Sequence, residues 1–362
     1  MRSPVSTPDR KILTVVGARP HFIKAALLSK EWLRMRRIRE VLVHTGQHFD
    51  PRMSRDFFDT LRLPEPDYQL GIHSLERREM IDRMVHALIP ILRAERPAIV
   101  VVFGDTNTTY AGAAAAVQLD IPVAHIEAGV RSFDASMPEE QNRLFVDRVS
   151  TLLFAPSQSS VACLATEAVK GKIILSGDIL KDAFRIFQSR ARRPAVPLPP
   201  QFILATIHRR ANVNNPKHLQ EIIRALETIH RKIPVILPLH PHTRKQLETF
   251  RIHPELTIIP PVSYLEMHYL LAEAQYIITD SGGLQREAYY AGKHALVVRQ
   301  RSEWIELVQA GYSLLCDPAN TTTILTRFAE LTKASPVSGG RYYGDGFAAQ
   351  KIAQAISNFV TV

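Results

Sequence analysis

The chain of 362 residues contains only two cysteines, Cys163 and Cys316. Two cysteines make no disulfide framework, and their spacing matches no zinc site, so the sequence predicts a protein of a reducing cytoplasm. Apolar runs long enough to cross a membrane are also lacking, and the N-terminal MRSPVSTPDRK lacks the apolar core of a signal peptide. These absences argue against a secreted disulfide-rich protein and against a membrane protein.

Two common nucleotide-binding motifs are missing as well. The chain has no GxGxxG, so a nicotinamide site is unsupported, and no Walker sequence with the Lys-Thr that holds a magnesium-bound triphosphate. His44 and His48 are four residues apart, as zinc ligands on a helix would be, but Gly46 and the preceding strand favour a loop. We therefore expect neither a metal nor a cofactor.

Charge is what the chain has in excess, with a formal net charge of +10. A net positive charge indicates an anionic partner, and nucleic acid is one option. The basic residues are scattered, however, and no basic stripe interleaved with aromatic residues appears. A polyanionic small molecule explains the charge equally well.

Short β-branched runs alternate with amphipathic stretches along the whole chain, which predicts parallel sheets covered by helices on both faces. The alternation pauses at the proline-rich segment 189–201 and then restarts. We therefore predict an α/β protein of two Rossmann-like, doubly wound domains facing a cleft. The first covers residues 1–188 and is completed by a C-terminal helix over 346–362; the second covers residues 189–345.

Ligands of open parallel sheets bind beyond the carboxyl ends of the strands, so the polar residues that follow each strand are the candidates for a site. Cations and an amide-rich turn suit a diphosphate, while carboxylates suit proton transfer. Since the candidates come from both halves, we expect the site in the cleft. The cationic and amide candidates are Arg19, Lys24, Arg143, His208 and Ser281–Gly283, and the carboxylates are Asp105, Glu127 and Glu139.

Each of these features also has a purely structural interpretation. Asp105 and Asp280 each stand where a helix N-cap would, and Gly282-Gly283 would also permit close packing of a helix on a strand. The stretch EAGVRSFDASMPEEQNR, residues 127–143, would then be a solvated loop leading into a capped helix. The sequence alone leaves these alternatives open.

Seven motifs occur in the same order as in a known family: GARPHFIKA, HTGQHFD, GDTNTT, HIEAGVRS, MPEEQNR, TIHRR and TDSGGLQRE. With them the chain resembles the non-hydrolysing UDP-N-acetylglucosamine 2-epimerases over nearly its whole length. The resemblance implies an isomerase with a glycosyltransferase-B-like architecture that acts as a homodimer on a UDP-sugar. It implies catalytic roles for Asp105, Glu127, Glu139 and His208. It implies nucleotide-sugar contacts for Arg19, Lys24, Arg143, Ser281, Gly282, Gly283 and Glu287.

Departures from the common family pattern point to one branch. His21 replaces a glutamate, Ala211 removes a carboxylate, and Trp304 stands where the family has an arginine. The GARPxFIKA start and the SEW segment resemble the branch acting on UDP-2,3-diacetamido-2,3-dideoxyglucuronate, which serves surface polysaccharides such as lipopolysaccharide O-antigen. The simpler interpretation of Trp304 is packing under a loop. His21 and Arg301 are candidates for the uronate carboxylate, and Phe22 or Trp304 for the second N-acetyl group.

Four other functions remain possible at this point. The first is the function of the common branch of the same family, whose substrate would be UDP-N-acetylglucosamine. A hydrolysing epimerase would usually carry a fused kinase domain, and a glycosyltransferase would not be expected to carry the PEExNR cluster. A basic nucleic-acid-binding module is the non-enzyme alternative.

Overall fold

A computed structural model of the protein describes residues 10–35, 37–47, 60–335, 337 and 342–361. The first nine residues of the N-terminal MRSPVSTPDRK, and His48, lie outside these ranges. The described chain divides into two compact units. Unit 1 comprises residues 1–183 and 343–362, and unit 2 comprises residues 184–342. Each unit has its own parallel sheet.

The elements of residues 10–188 are β1 (Arg10–Val16), α1 (Arg19–Trp32), β2 (Ile38–His44), β3 (Tyr68–Gln69), α2 (Arg77–Glu95), β4 (Ile99–Phe103), α3 (Asn107–Val117), β5 (Val123–Ile126), α4 (Pro138–Val149), β6 (Leu152–Ala155), α5 (Gln158–Thr166), β7 (Lys172–Leu175) and α6 (Ile179–Gln188). Those of residues 203–361 are β8 (Ile203–Thr206), α7 (Arg210–Val213), α8 (Pro216–His230), β9 (Val235–Pro238), α9 (Pro241–Thr249), β10 (Thr257–Ile259), α10 (Tyr264–Glu273), β11 (Tyr276–Thr279), α11 (Gly282–Tyr290), β12 (Ala295–Val297), α12 (Ile305–Gln309), β13 (Ser313–Leu315), α13 (Thr321–Leu331) and α14 (Ala348–Thr361).

The two sheets have the same winding. Strand order is β3-β2-β1-β4-β5-β6-β7 in unit 1 and β10-β9-β8-β11-β12-β13 in unit 2. All strand pairs are parallel. In each sheet the order reverses beside the first strand of the unit, at β1/β4 and at β8/β11, and a crevice opens there for a ligand. The prediction of two doubly wound α/β sheets is confirmed.

Burial explains why these segments form central strands. All five residues of β4 are buried, as are all four of β8, because helices cover both faces of each sheet. In unit 2, apolar residues of α8 and α13 cover one face, and those of α10 and α11 cover the other. In unit 1, the apolar side of α2 packs with α3 on β1, β2 and β4.

The C-terminal helix α14 belongs to unit 1 and packs against α1. Its first turn is fixed by Asp182 of α6, a buried residue. The Asp182 carboxylate accepts hydrogen bonds from the N–H groups of Ala348 at 3.0 Å and Ala349 at 2.7 Å. A carboxylate at a helix N-terminus satisfies amide groups that the helix itself leaves unbonded. No helix of the described residues is long and apolar enough to cross a membrane.

Candidate active site

A first candidate site lies at the β1/β4 reversal of unit 1. Strand registers place the ends of β1 and β2 level, and those of β4 and β5 level. The loops that follow therefore begin side by side. Gly17, directly after β1, must be glycine because a Cβ there would collide with the hydroxyls of Thr45 and Thr108. Those two hydroxyls are 2.8 Å apart, so the loops after β1 and β2 meet the first turn of α3 at Gly17.

Helix α1 begins in this crevice and provides two of the predicted cations. Arg19 is its first residue and is half-buried. Lys24 is 3% exposed, and its ammonium pairs with the carboxylate of Glu127. The same ammonium lies 3.8 Å from the position a Cβ of Gly104 would occupy. Lys24 thus joins the loop after β5 to the turn after β4.

Asp105 follows Gly104 in that turn and does not cap a helix. The N-cap of α3 is Thr106, whose side chain accepts from the N–H of Thr109 in a capping box. The Asp105 carboxylate instead pairs with Arg143, and its carbonyl accepts from Asn142 Nδ2 at 2.8 Å. Two side chains of α4 therefore hold Asp105 in place, and the capping interpretation is wrong for this residue.

Glu127 begins the loop after β5 with a backbone that side-chain-bearing residues rarely adopt. Its φ is +75°, in the left-handed region, and it is not a glycine. The N–H groups of Glu127 and Ala128 both donate to the carbonyl of Phe154, at 3.1 and 3.0 Å. Strained backbone of this kind persists only where the surroundings fix it, and it clusters at functional sites.

The adjacent glutamates of α4 have different surroundings. Glu140 is buried and accepts from the N–H groups of Ser132 and Phe133, both at 3.0 Å, and from Arg143 at 2.8 Å. Glu139 is half-buried, and within the described ranges its carboxylate makes no hydrogen bond or ion pair. The structure thus assigns Glu140 to holding the loop and leaves the Glu139 carboxylate available.

A second candidate site lies at the β8/β11 reversal of unit 2 and is organised by Asp280. This carboxylate is fully buried and accepts from the N–H of His208 at 3.1 Å, the N–H of Arg209 at 2.9 Å and Asn212 Nδ2 at 3.1 Å. His208 Nδ1 lies 3.6 Å from it, and the His208 side chain is 42% exposed. Asp280 therefore positions the turn that presents His208. The interpretation of Asp280 as a helix cap, which the sequence left open, is wrong, because the cap of α11 is Ser281.

The Ser281–Gly283 turn opens α11. The Ser281 hydroxyl accepts from the N–H of Leu284 at 3.3 Å, which leaves the first amides of the helix without an acceptor inside the helix. Glu287, one turn further on, is buried and accepts from the Tyr264 hydroxyl at 3.1 Å. An amide-rich helix N-terminus of this kind is suited to an anion such as a phosphate.

The segment 299–304 packs against this turn and was only partly anticipated. A Cβ on Gly282 would lie 2.5 Å from Glu303 Oε1, and Glu303 pairs with Arg299 at 2.7 Å. Trp304 is 2% exposed, and the guanidinium carbon of Arg286 lies 3.7 Å from the centroid of its ring. The sequence analysis identified Trp304 but missed Arg286, Arg299 and Glu303. The signal that could have found them is the presence of charged residues in otherwise buried segments.

The residues expected to read a uronate occupy mixed positions. His21 is 1% exposed, with Nε2 3.4 Å from the Thr106 hydroxyl, next to Asp105. Arg301 is exposed. Phe22 is fully buried and stacks on His44 at 5.2 Å, so it is a core residue. Across the described ranges, no group of three or more His, Cys, Asp or Glu residues is placed to hold a metal ion.

Comparisons with known proteins give the relatives of the chain and of its fold. A family model described as UDP-N-acetylglucosamine 2-epimerase matches residues 30–357. UDP-2,3-diacetamido-2,3-dideoxy-D-glucuronate 2-epimerase of Pseudomonas aeruginosa is 43% identical, covering 96% of this chain and 99% of that protein. The UDP-GlcNAc 2-epimerase of Methanocaldococcus jannaschii, solved with UDP-GlcNAc and UDP, superimposes with a TM-score of 0.86 at 32% identity, over 96% of this chain and 99% of that one. The Neisseria meningitidis UDP-GlcNAc 2-epimerase, bound to UDP-GlcNAc, gives a TM-score of 0.87 at 30% identity, over 96% and 100%.

Proposed function

The chain belongs to the UDP-N-acetylglucosamine 2-epimerase family, and from that premise we propose that it inverts C2 of a UDP-2-acetamido sugar by eliminating and re-adding UDP. One observation carries the proposal. The carboxylates Asp105 and Glu127, each paired with a cation, meet at the chain reversal of unit 1, where the first sheet opens its crevice. The reversal of unit 2 presents His208 and an amide-rich helix N-terminus.

The reaction needs both kinds of group because the C2 hydrogen is not next to a carbonyl. When the C1–O bond breaks, its electron pair leaves with UDP and C1 becomes cationic, which makes the C2 proton acidic enough for a carboxylate to remove. The products of this step are UDP and a 2-acetamidoglycal. In the return step a UDP oxygen attacks C1, and C2 receives a proton on the opposite face. Two faces require two proton-transfer groups.

The roles follow from the surroundings of each residue. Glu127, Asp105 and Glu139 transfer protons and stabilise the cationic sugar, and Lys24 and Arg143 hold the first two carboxylates in place. Charge on the departing diphosphate is stabilised by the amides at Ser281–Gly283, together with Arg19 and His208. Glu287, held by Tyr264, is assigned to a nucleotide-sugar contact.

Within the family we propose UDP-2,3-diacetamido-2,3-dideoxyglucuronate as the substrate and the corresponding mannuronate, a precursor of surface polysaccharide, as the product. The support is the 43% identity to the Pseudomonas aeruginosa enzyme over nearly the full length of both chains. His21 adds to it, because an imidazole beside the Asp105 turn repels a sugar carboxylate less than a glutamate would. UDP-N-acetylglucosamine is the alternative substrate, favoured by the likeness to the two solved enzymes.

The test is a comparison of kcat/KM for the two UDP-sugars, with product configuration read by proton NMR. We expect a ratio of at least about tenfold in favour of the diacetamido-uronate, which corresponds to about 1.4 kcal/mol. His21→Glu should reduce that ratio. Equal kcat/KM values for the two sugars would refute the preference for the uronate and leave only the general function, C2 epimerisation of a UDP-2-acetamido sugar. No epimer from either sugar would refute the proposed function itself.

We also propose that the protein is a cytoplasmic homodimer. The chain has only two cysteines, too few for a disulfide framework, which fits a reducing compartment. Dimerisation rests on the family resemblance. Light scattering after gel filtration should give twice the mass of one chain, and the mass of a single chain would contradict it.

A further inference from the structure

A cluster of four charged or ionisable side chains lies beneath the loops of unit 1 and takes no part in the proposed chemistry. Asp147 of α4 is its centre and is fully buried. One carboxylate oxygen lies 2.6 Å from Nδ1 of His125, and the other accepts from Arg131 at 2.6 Å. Arg131 also donates to both carboxylate oxygens of Glu167, at 2.7 Å each. The chain thus keeps a costly group of charges in its interior.

This cluster has direct contacts with both proton-transfer loops. The second ring nitrogen of His125 lies 2.7 Å from the carbonyl oxygen of Gly104, the residue before Asp105. The second carboxylate oxygen of Asp147 also accepts from the N–H of Gly129 at 3.0 Å, two residues after Glu127. One buried carboxylate therefore anchors the turn that carries Asp105 and the strained loop that carries Glu127.

The contacts of His125 and the electrostatics of Asp147 both support this anchor. Both ring nitrogens of His125 face oxygen atoms, a carboxylate on one side and a carbonyl on the other. Burial alone would raise the pKa of Asp147, but the attraction of His125 and Arg131 lowers it below its ordinary value. Asp147 is thus an anion, and its bonds to Arg131 and to the Gly129 N–H are charge-assisted.

We propose that Asp147 is a positioning residue for C2 epimerisation, holding the Asp105 turn and the Glu127 loop at a fixed separation through His125 and the Gly129 N–H. The inference rests on the proposed function, since it concerns the same reaction. Removal of the Asp147 charge would loosen one loop relative to the other. The group that removes the first proton and the group that supplies the second would then no longer be held at a fixed distance from each other.

The experiment compares Asp147→Asn with Asp182→Asn in the full-length protein. Asp182 is the matched control, because it is a buried carboxylate of the same unit that bonds two backbone N–H groups, far along the chain from both loops. Both variants should lose thermal stability. Only Asp147→Asn should lower kcat, by about 10- to 100-fold, the scale of a misplaced reacting group, with KM changed less than about twofold.

A second readout separates positioning from folding. In Asp147→Asn the fraction of turnover that escapes as 2-acetamidoglycal and UDP should rise, because re-protonation of C2 falls behind release. Glu167→Gln is a milder perturbation of the same cluster, because the Glu167 side chain is 31% exposed and contacts the cluster through Arg131. It should shift kcat and the fraction of escaping glycal in the same direction as Asp147→Asn. If Asp147→Asn does not fold, Glu167→Gln decides.

All variants are assayed below their melting temperatures. The proposal would be overturned if the Asp147 or Glu167 variant had the same kcat and the same fraction of escaping glycal as Asp182→Asn. A wild-type protein that turns over neither UDP-sugar would instead refute the proposed function. The two failures are therefore distinct.

Discussion

The two glycines that open α11 should respond in opposite ways to the same substitution. A Cβ on Gly282 would lie 2.5 Å from Glu303 Oε1 and 3.0 Å from Trp304 Nε1, whereas one on Gly283 would meet only the Ser281 hydroxyl, at 3.7 Å. Glu303 is buried and held by Arg299, so it cannot move away cheaply. Gly282→Ala should therefore lower the free energy of unfolding by about 1–3 kcal/mol, the usual cost of overpacking.

Gly283→Ala should instead raise the free energy of unfolding by about 0.4–1 kcal/mol, because alanine restricts the unfolded chain and fits the helix without strain. Packing within the protein therefore does not require a glycine at position 283. A helical Cβ is tilted toward the N-terminus of the helix, so the added methyl would stand where a diphosphate approaches the amides. We expect UDP to bind at least about tenfold more weakly to Gly283→Ala, a loss of about 1.4 kcal/mol.

Urea unfolding followed by circular dichroism measures the first quantity, and titration calorimetry with UDP measures the second. The adjacent variant Gly282→Ala is the control for the helix itself. A Gly283→Ala protein that is as stable as the wild type and binds UDP with unchanged affinity would refute the assignment of the diphosphate to this turn.

Four further substitutions test other parts of the structure. Glu139→Gln should lower kcat by about 10² or more at unchanged stability. Glu140→Gln should instead lower stability, because Glu140 and not Glu139 bonds the Ser132 and Phe133 amides. The reverse pattern in kcat and urea-unfolding assays would contradict the assignment. Burial raises the pKa of Glu40 from 4.5 to about 7, so the folded state binds the extra proton and loses stability as pH rises between these values. Glu40→Gln should recover at most about 3 kcal/mol at pH 8 in urea unfolding, and no gain would refute this. Burial lowers the pKa of His268 from 6.5 to about 4, so the free energy of unfolding falls as pH falls between these values. His268→Phe should remove up to about 3 kcal/mol of this loss of stability at low pH. An unchanged pH profile of unfolding would count against it.

Local pattern was enough to predict the architecture and the neighbourhood of the site. Buried runs such as that of β4 are strands because they are apolar throughout, and the polar residues after them lie at the carboxyl ends of a sheet by geometry alone. Asp105, Glu127 and His208 follow β4, β5 and β8 in the structure, where those patterns placed them.

The partners of these residues could not be predicted in the same way. Asp280 bonds the N–H of His208 across 72 positions of the chain, and Lys24 pairs with Glu127 across 103. No local pattern encodes such pairs, and an aspartate before a helix looks like a cap even when the next residue is the cap. His125 gave one signal that was overlooked, because a histidine in the middle of the apolar strand β5 must find buried partners.

The central claim is that UDP leaves C1 and returns while C2 exchanges its proton. The most direct measurement is proton NMR of the reaction in D2O, started from either C2 epimer of the preferred UDP-sugar. We expect loss of the C2 proton signal in both product and recovered substrate, with traces of glycal and free UDP. Formation of the epimer with its C2 protium fully retained would contradict it.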